Sequence, residues 1–82
     1  MKVEVPAGAM AVVNKGYVGE MERMGTIDAP RFEAAKFDLA PLATRTVATQ
    51  FQYRVDIYMR YEQTPCTTYI VSDGTVLTRQ AA

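Results

Sequence analysis

From Val47 to Tyr61 the chain alternates. Odd positions carry Val47, Thr49, Phe51, Tyr53, Val55, Ile57, Met59 and Tyr61, and even positions carry Ala48, Gln50, Gln52, Arg54, Asp56, Tyr58 and Arg60. Successive strand side chains point to opposite faces, so an apolar set set against a polar one predicts a long, half-buried central β-strand over about 47–61. At roughly 3.3 Å per residue it would extend on the order of 46 Å. A compact domain of this length is only roughly 30 Å across. The strand is therefore expected either to bend at a bulge near Thr49 to Gln52 or to project one end toward a partner.

Similar alternation marks shorter strands on both sides. Val3 and Val5 alternate with Lys2 and Glu4, Pro6-Ala7-Gly8-Ala9 supplies a turn, and Met10 to Val13 resumes an apolar run. A hairpin with Val5 facing Met10 and Val3 facing Val12 would put all four on one face. Asn14-Lys15-Gly16 reads as the next hairpin loop, with Gly16 in the left-handed position and a third strand from about Tyr17 to Glu22. Asp28-Ala29-Pro30 resembles a helix start, and Phe32, Ala35 and Leu39 fall on one helical face. A short helix or loop layer around 29–38 is expected, although Phe37-Asp38-Leu39 alternates like a strand. Thr67 to Val71 forms a further strand. The Asp73-Gly74 pair that follows predicts a type I′ hairpin matching Ser72 with Thr75, Val71 with Val76, Ile70 with Leu77 and Tyr69 with Thr78.

These registers chain together. If Gln63 to Cys66 is a four-residue loop, Met59 faces Ile70 and Tyr58 faces Val71. The core face then carries Met59, Ile70 and Leu77, and the opposite face carries Tyr58, Val71 and Val76, with Tyr69 beside them and Arg54 and Arg60 on the border. A one-residue change in the loop would exchange the faces. Such a Tyr- and Arg-bordered apolar patch either receives a second core layer from residues 25–45 or binds a partner. The candidate partner-binding residues are thus Tyr58, Tyr69, Val71, Val76, Arg54 and Arg60. The expected architecture is mainly β, or α+β: one antiparallel sheet of five to six strands with hairpins at both ends, in a single domain over 1–82.

Composition narrows the function classes. The 82 residues are 49% hydrophobic and 22% charged, with nine basic and nine acidic residues and no net charge. A zero balance lacks the basic excess by which nucleic-acid binders neutralise phosphates. Arg54, Tyr58, Arg60 and Tyr69 would make a stacking platform for single strands, but Asp56 sits among them and ion pairing on a solvated face explains the same residues. No apolar run approaches the ~20 residues of a membrane span, and Glu4 and Pro6 interrupt any leader-like core, so a soluble, unprocessed chain in cytoplasm or virion is expected.

Catalytic groups are sparse. With no histidine and a single cysteine, Cys66, the usual general base, a zinc site and an internal disulfide are all missing. Glu20 and Glu22 share a face of any strand through them, where a solvated pair beside Arg23 is the simplest reading. No catalytic residue, cofactor or metal is expected. The expectation is a non-enzymatic structural or assembly protein that packs through a sheet face or edge, self-associating or joining a larger, virion-like assembly. The alternatives are a small inhibitor or adaptor that docks on one partner, and then a single-stranded nucleic-acid binder.

Overall fold

The computed structural model describes residues 1–17, 19–44 and 51–81. It is mainly β: β1 (Lys2–Val5), β2 (Met10–Tyr17), β3 (Glu20–Asp28), β4 (Ala35–Asp38), one helical turn α1 (Ala40–Ala43), β5 (Phe51–Tyr58), β6 (Thr67–Ser72) and β7 (Thr75–Gln80). Five strands form one antiparallel sheet in the order β3-β2-β5-β6-β7, and β1 pairs with β4 in a second, two-stranded sheet. β5 lies at the centre, as its alternation predicts. Its Tyr53, Val55 and Ile57 join Ala11 of β2 and Val71 of β6 in the core. Val3, Val5 and Leu39 close over them from the other side, so the small sheet and α1 form a lid on one face of the large one.

The lid corrects two sequence expectations. β1 does not form a hairpin with β2. Pro6 to Ala9 does turn, with the Ala9 N–H donating to the Pro6 carbonyl at 2.9 Å, but the turn carries the chain from one sheet into the other. β1 instead pairs with β4, matching Val3 with Phe37 and Val5 with Ala35 on the inner side and setting Lys2 against Asp38 and Glu4 against Lys36 on the outer side. Opposite charges directly across a strand pair are favourable, and so is the inward apolar set. Of the short helix or loop layer expected around 29–38, the helix is absent: residues 29–34 are loop and turn, and residues 35–38 are that strand. Its supposed apolar stripe is dispersed: Phe32 is 88% exposed while Leu39 is fully buried. The single helical turn comes later, at Ala40–Ala43, with Pro41 in its first turn.

The β2–β3 hairpin also turns later than expected. Asn14, Lys15 and Gly16 are strand, pairing with Arg23, Glu22 and Met21, and the reversal falls between Tyr17 and Glu20. Gly16 is needed for a different reason than a loop. Its φ is +151° and a Cβ there would run into the Glu20 carbonyl oxygen. Met24 is the extra residue of a bulge, since Val13 faces Gly25 while Asn14 faces Arg23. At the C-terminal end the Asp73-Gly74 turn is as expected. Both residues have positive φ, 51° and 73°, and every matched pair from Ser72–Thr75 to Tyr69–Thr78 is present.

At its C-terminal end the central strand is shorter than its alternation. Residues 45–50, which include half of the expected bend at Thr49 to Gln52, lie outside the described residues. At the far end the strand stops at Tyr58, and Met59 to Glu62 form a turn in which Tyr61 takes a φ of +69° and the Glu62 N–H donates to the Met59 carbonyl at 3.0 Å. Eight residues span roughly 26 Å, which fits within the 38 Å long axis of the molecule. The strand as described neither overreaches the domain nor calls for a partner on that account.

Gly16→Ala is expected to cost roughly 2–3 kcal/mol, since the new methyl meets backbone rather than a movable side chain. Gly19→Ala, also at positive φ but with open space around its Cβ position, should cost only about 1–2 kcal/mol. Urea unfolding of both variants checks the ranking. A second expectation concerns acid. The Asp38 carboxylate accepts from the Ala40 N–H at 3.0 Å and from the Met1 amino group at 3.1 Å. The first bond, then the second, holds its pKa below the usual aspartate value. A depressed folded-state pKa contributes stability that is present above the ordinary aspartate pKa of about 3.9 and lost as pH falls through the folded value. Asp38→Asn should therefore flatten the acid limb of stability below about pH 4 and leave the neutral region comparatively level.

Candidate functional site on the open sheet face

The β5–β6 register decides what the second face of the large sheet looks like. The sequence-based pairing set Met59 against Ile70; the structure sets Arg54 there, and pairs Tyr53 with Val71 and Ile57 with Thr67. The connection is thus residues 59–66 rather than a four-residue loop. The shift is odd, so the faces of β6 and β7 are exchanged relative to β5. The physical reason is burial: this register stacks Tyr69 and Val71 with Tyr53, Val55 and Ile57 on one apolar side. Val71 becomes completely buried, worth roughly 1.5–3 kcal/mol over leaving it exposed. The Cys66 N–H anchors the new register by donating to the Ile57 carbonyl at 2.8 Å.

The six sequence-predicted site residues therefore do not form one patch. Val71 is in the core, and Tyr69 and Val76 pack against it from the same side. Tyr58 and Arg54 lie on the opposite, open face. Arg60 belongs to the turn after β5, its guanidinium carbon 5.1 Å from the centroid of the Tyr61 ring. Tyr69 is thus separated from Arg54 and Tyr58 by the thickness of the sheet, and the four-residue stacking platform is not assembled.

What the open face does assemble is read across the strands. One row runs Arg23, Asn14, Arg54, Ile70, Leu77; the next runs Thr26, Val12, Asp56, Thr68, Arg79. A third places Asp28, Met10 and Tyr58 side by side. Asp56 sits at the centre and is only 5% exposed. Its Oδ2 accepts from Arg54 Nε at 2.9 Å and from Asn14 Nδ2 at 3.4 Å, and its Oδ1 accepts from Thr68 Oγ1 at 2.8 Å. Three strands are tied together by one carboxylate. A buried charge is tolerable when paired and hydrogen-bonded in this way.

Two open depressions flank Tyr58. One, of about 730 Å³, runs over β5, β6 and β7 and includes Arg54, Thr68, Ile70, Leu77 and Arg79 in its lining. The other, of about 390 Å³, lies between Met10, Val12 and Arg23 and the turn at Met59 to Glu62. The face thus presents arginine donors, a tyrosine and exposed methyl and methylene groups around a saturated carboxylate. Sequence reasoning missed Thr68, Ile70, Leu77 and Arg79 as parts of this surface. The alternation did place Arg54, Asp56 and Tyr58 together; the β6 and β7 contributors depended on a loop length that nothing local specifies.

The remaining candidates fall elsewhere. Glu20 and Glu22 do share a side of β3, the lid side, where Glu22 approaches Lys15 at 4.0 Å. Arg23 points to the other face and does not join them. The half-buried Cys66 thiol donates to the Ile57 carbonyl at 3.3 Å. Among the described residues no group of three or more Cys, Asp or Glu side chains is placed to hold a metal ion, and no helix is long and apolar enough to cross a membrane. Comparisons with protein-family models, curated proteins and solved structures found no match.

Removing the central carboxylate tests its role. Asp56→Ala is expected to destabilise the fold by roughly 2–3 kcal/mol, because Thr68 and Arg54 lose their acceptor in a sheltered place. Thr68→Val should cost less, about 1 kcal/mol, since it removes one donor and keeps the volume. Denaturant midpoints for the two variants give the comparison.

Proposed function

We propose that this protein is a non-enzymatic structural or assembly component, which joins neighbouring subunits of a larger complex, such as a virus or phage particle, through the open face or an edge of its five-stranded sheet. The observation that carries this reading is the inequality of the two faces. The lid of β1, β4 and α1 occupies one of them, and no described strand or helix is left to cover the other. Yet that bare face presents Leu77 at 59% exposure, with Met10, Ile70 and Tyr58. Tyrosine and arginine beside exposed aliphatic groups match the composition of protein interfaces better than that of a merely solvated surface. A net charge of zero adds little self-repulsion. The same surface would serve an inhibitor or adaptor docked on a single partner.

One feature favours a second reading. Arg23, Arg54 and Arg79 lie on the open face with Asp28 and the sheltered Asp56, so three basic groups stand against two acidic ones there. That distribution supports contact with phosphates or with acidic groups of a protein.

Light-scattering mass over a range of concentrations tests the proposal. The expected result is a mass that rises from 9.1 kDa toward its multiples. Leu77→Asp, which touches the open face and not the core, should weaken that association by about tenfold or more while leaving the circular dichroism unchanged. A mass of 9.1 kDa at every concentration would count against assembly through copies of itself. Retention on heparin that falls steeply with salt would then move the assignment to nucleic acid.

A further inference from the structure

Resting on that reading, we infer that two copies meet edge to edge through β7, in a two-fold antiparallel pairing centred on Leu77 that joins two five-stranded sheets into one. The two edges of the sheet differ in kind. β3 is bulged at Met24 and carries Glu20, Glu22, Arg23 and Asp28, devices that blunt an edge against pairing. β7 is regular, reads Thr-Val-Leu-Thr-Arg-Gln and has one charge and no proline. Among the described residues no strand pairs with its outer side.

Backbone chemistry restricts how a second copy adds. Ser72 and Thr75 flank the two-residue turn as a hydrogen-bonded pair, so Thr75, Leu77 and Arg79 direct their N–H and C=O groups to β6. The bond from the Ala81 N–H to the Cys66 carbonyl, 2.9 Å, continues the same parity. Val76, Thr78 and Gln80 therefore direct theirs outward. Outward groups must meet outward groups, and a two-fold axis perpendicular to the sheet satisfies this while keeping the lid side of one copy continuous with the lid side of the other.

Side chains choose among the registers that remain. Centred on Leu77, Val76 of each copy exchanges backbone bonds with Thr78 of the other. Leu77 then meets Leu77 of the second copy at a non-hydrogen-bonded site, where the Cα atoms are about 4.5 Å apart and side chains are closest. Ile70 lies directly across from Leu77 in its own sheet, so an apolar row crosses the join. Arg79, the only charge on the edge, lands opposite Thr75 of the second copy, two residues along from its Asp73. This charge match is absent when the pairing is centred on Thr78, which would instead set Leu77 against Arg79.

Cysteine cross-linking reads the register. In a Cys66→Ser background, Leu77→Cys is expected to oxidise to a covalent dimer and Thr78→Cys to do so much less, since only the first places its two Cα atoms within the 4.4–6.8 Å a disulfide needs in the Leu77-centred pairing. Thr78→Pro, which removes an outward N–H that the monomer does not use, should keep the circular dichroism and lose the mass increase. Preferential cross-linking at residue 78, or association that survives Thr78→Pro, overturns the inference. If association survives that proline but is lost in Leu77→Asp, the face rather than the edge is the interface, and the proposed function stands without this pairing. If the wild-type chain shows no mass increase at any concentration, both fall.

Discussion

The pairing of Tyr53 with Val71 is the constraint on which the rest of the structure depends. A strand has two faces and a period of two, so this one match assigns every side chain of β6 and β7 to a side. With it, the apolar residues of β5, β6 and the start of β2 coincide, and the sheet has a single greasy face that the lid can cover. An even displacement would keep the faces but misplace Val71 along the strand. An odd one would put Ile70 and Leu77 inward and leave Tyr69, Val71 and Val76 to water. In a chain that buries only roughly 60–65% of its unfolded surface, the loss of one fully buried valine is a large share of the net stability.

The lid is small, and its order comes from short-range chemistry. Charged pairs on its outer side and valines on its inner side set β1 against β4 in one register. Leu39 then drops into the core, and its N–H donates to the Met1 carbonyl at 2.8 Å. Asp38, just before it, holds the first turn of α1 through the Ala40 N–H. An aromatic series, Tyr17 to Phe51 to Tyr53, stacks edge to face at 5.6 and 5.4 Å on the lid side of the sheet. Such pairs contribute about 0.5–1.5 kcal/mol each beyond their burial, which ties the end of β2 to the start of β5.

Covering one face and leaving the other bare gives the molecule its functional character. The bare face is organised rather than merely exposed, because Asp56 fixes Arg54 and Thr68 against it and spans three strands. Hydrogen-bonded arginine is pre-organised, so less rotamer entropy is lost when a partner arrives. Among the described residues the central strand runs only from Phe51 to Tyr58, so they do not show the excess length that suggested a partner. The face and the unblunted edge of β7 take its place.

By itself the sequence determined the mainly β class, the two faces of residues 51–58 and the whole register of the C-terminal hairpin. These depend on interactions a few residues long: alternation follows from the strand's geometry, and Asp73-Gly74 admits the positive φ values of a type I′ turn. Only the tertiary structure decided which strand Lys2 to Val5 would join, that Ala35 to Asp38 would extend rather than coil, and how β6 would slide along β5. Phe32, Ala35 and Leu39 fit a helical stripe as well as Val3 and Val5 fit a hairpin with Val12, and local propensity does not separate these options. Burial against distant residues does. A loop one residue longer or shorter changes closure entropy very little, yet it reverses which side chains meet the core. The open face was illegible for that reason: its members come from three separated segments, and the register that unites them is chosen by what it hides on the other side.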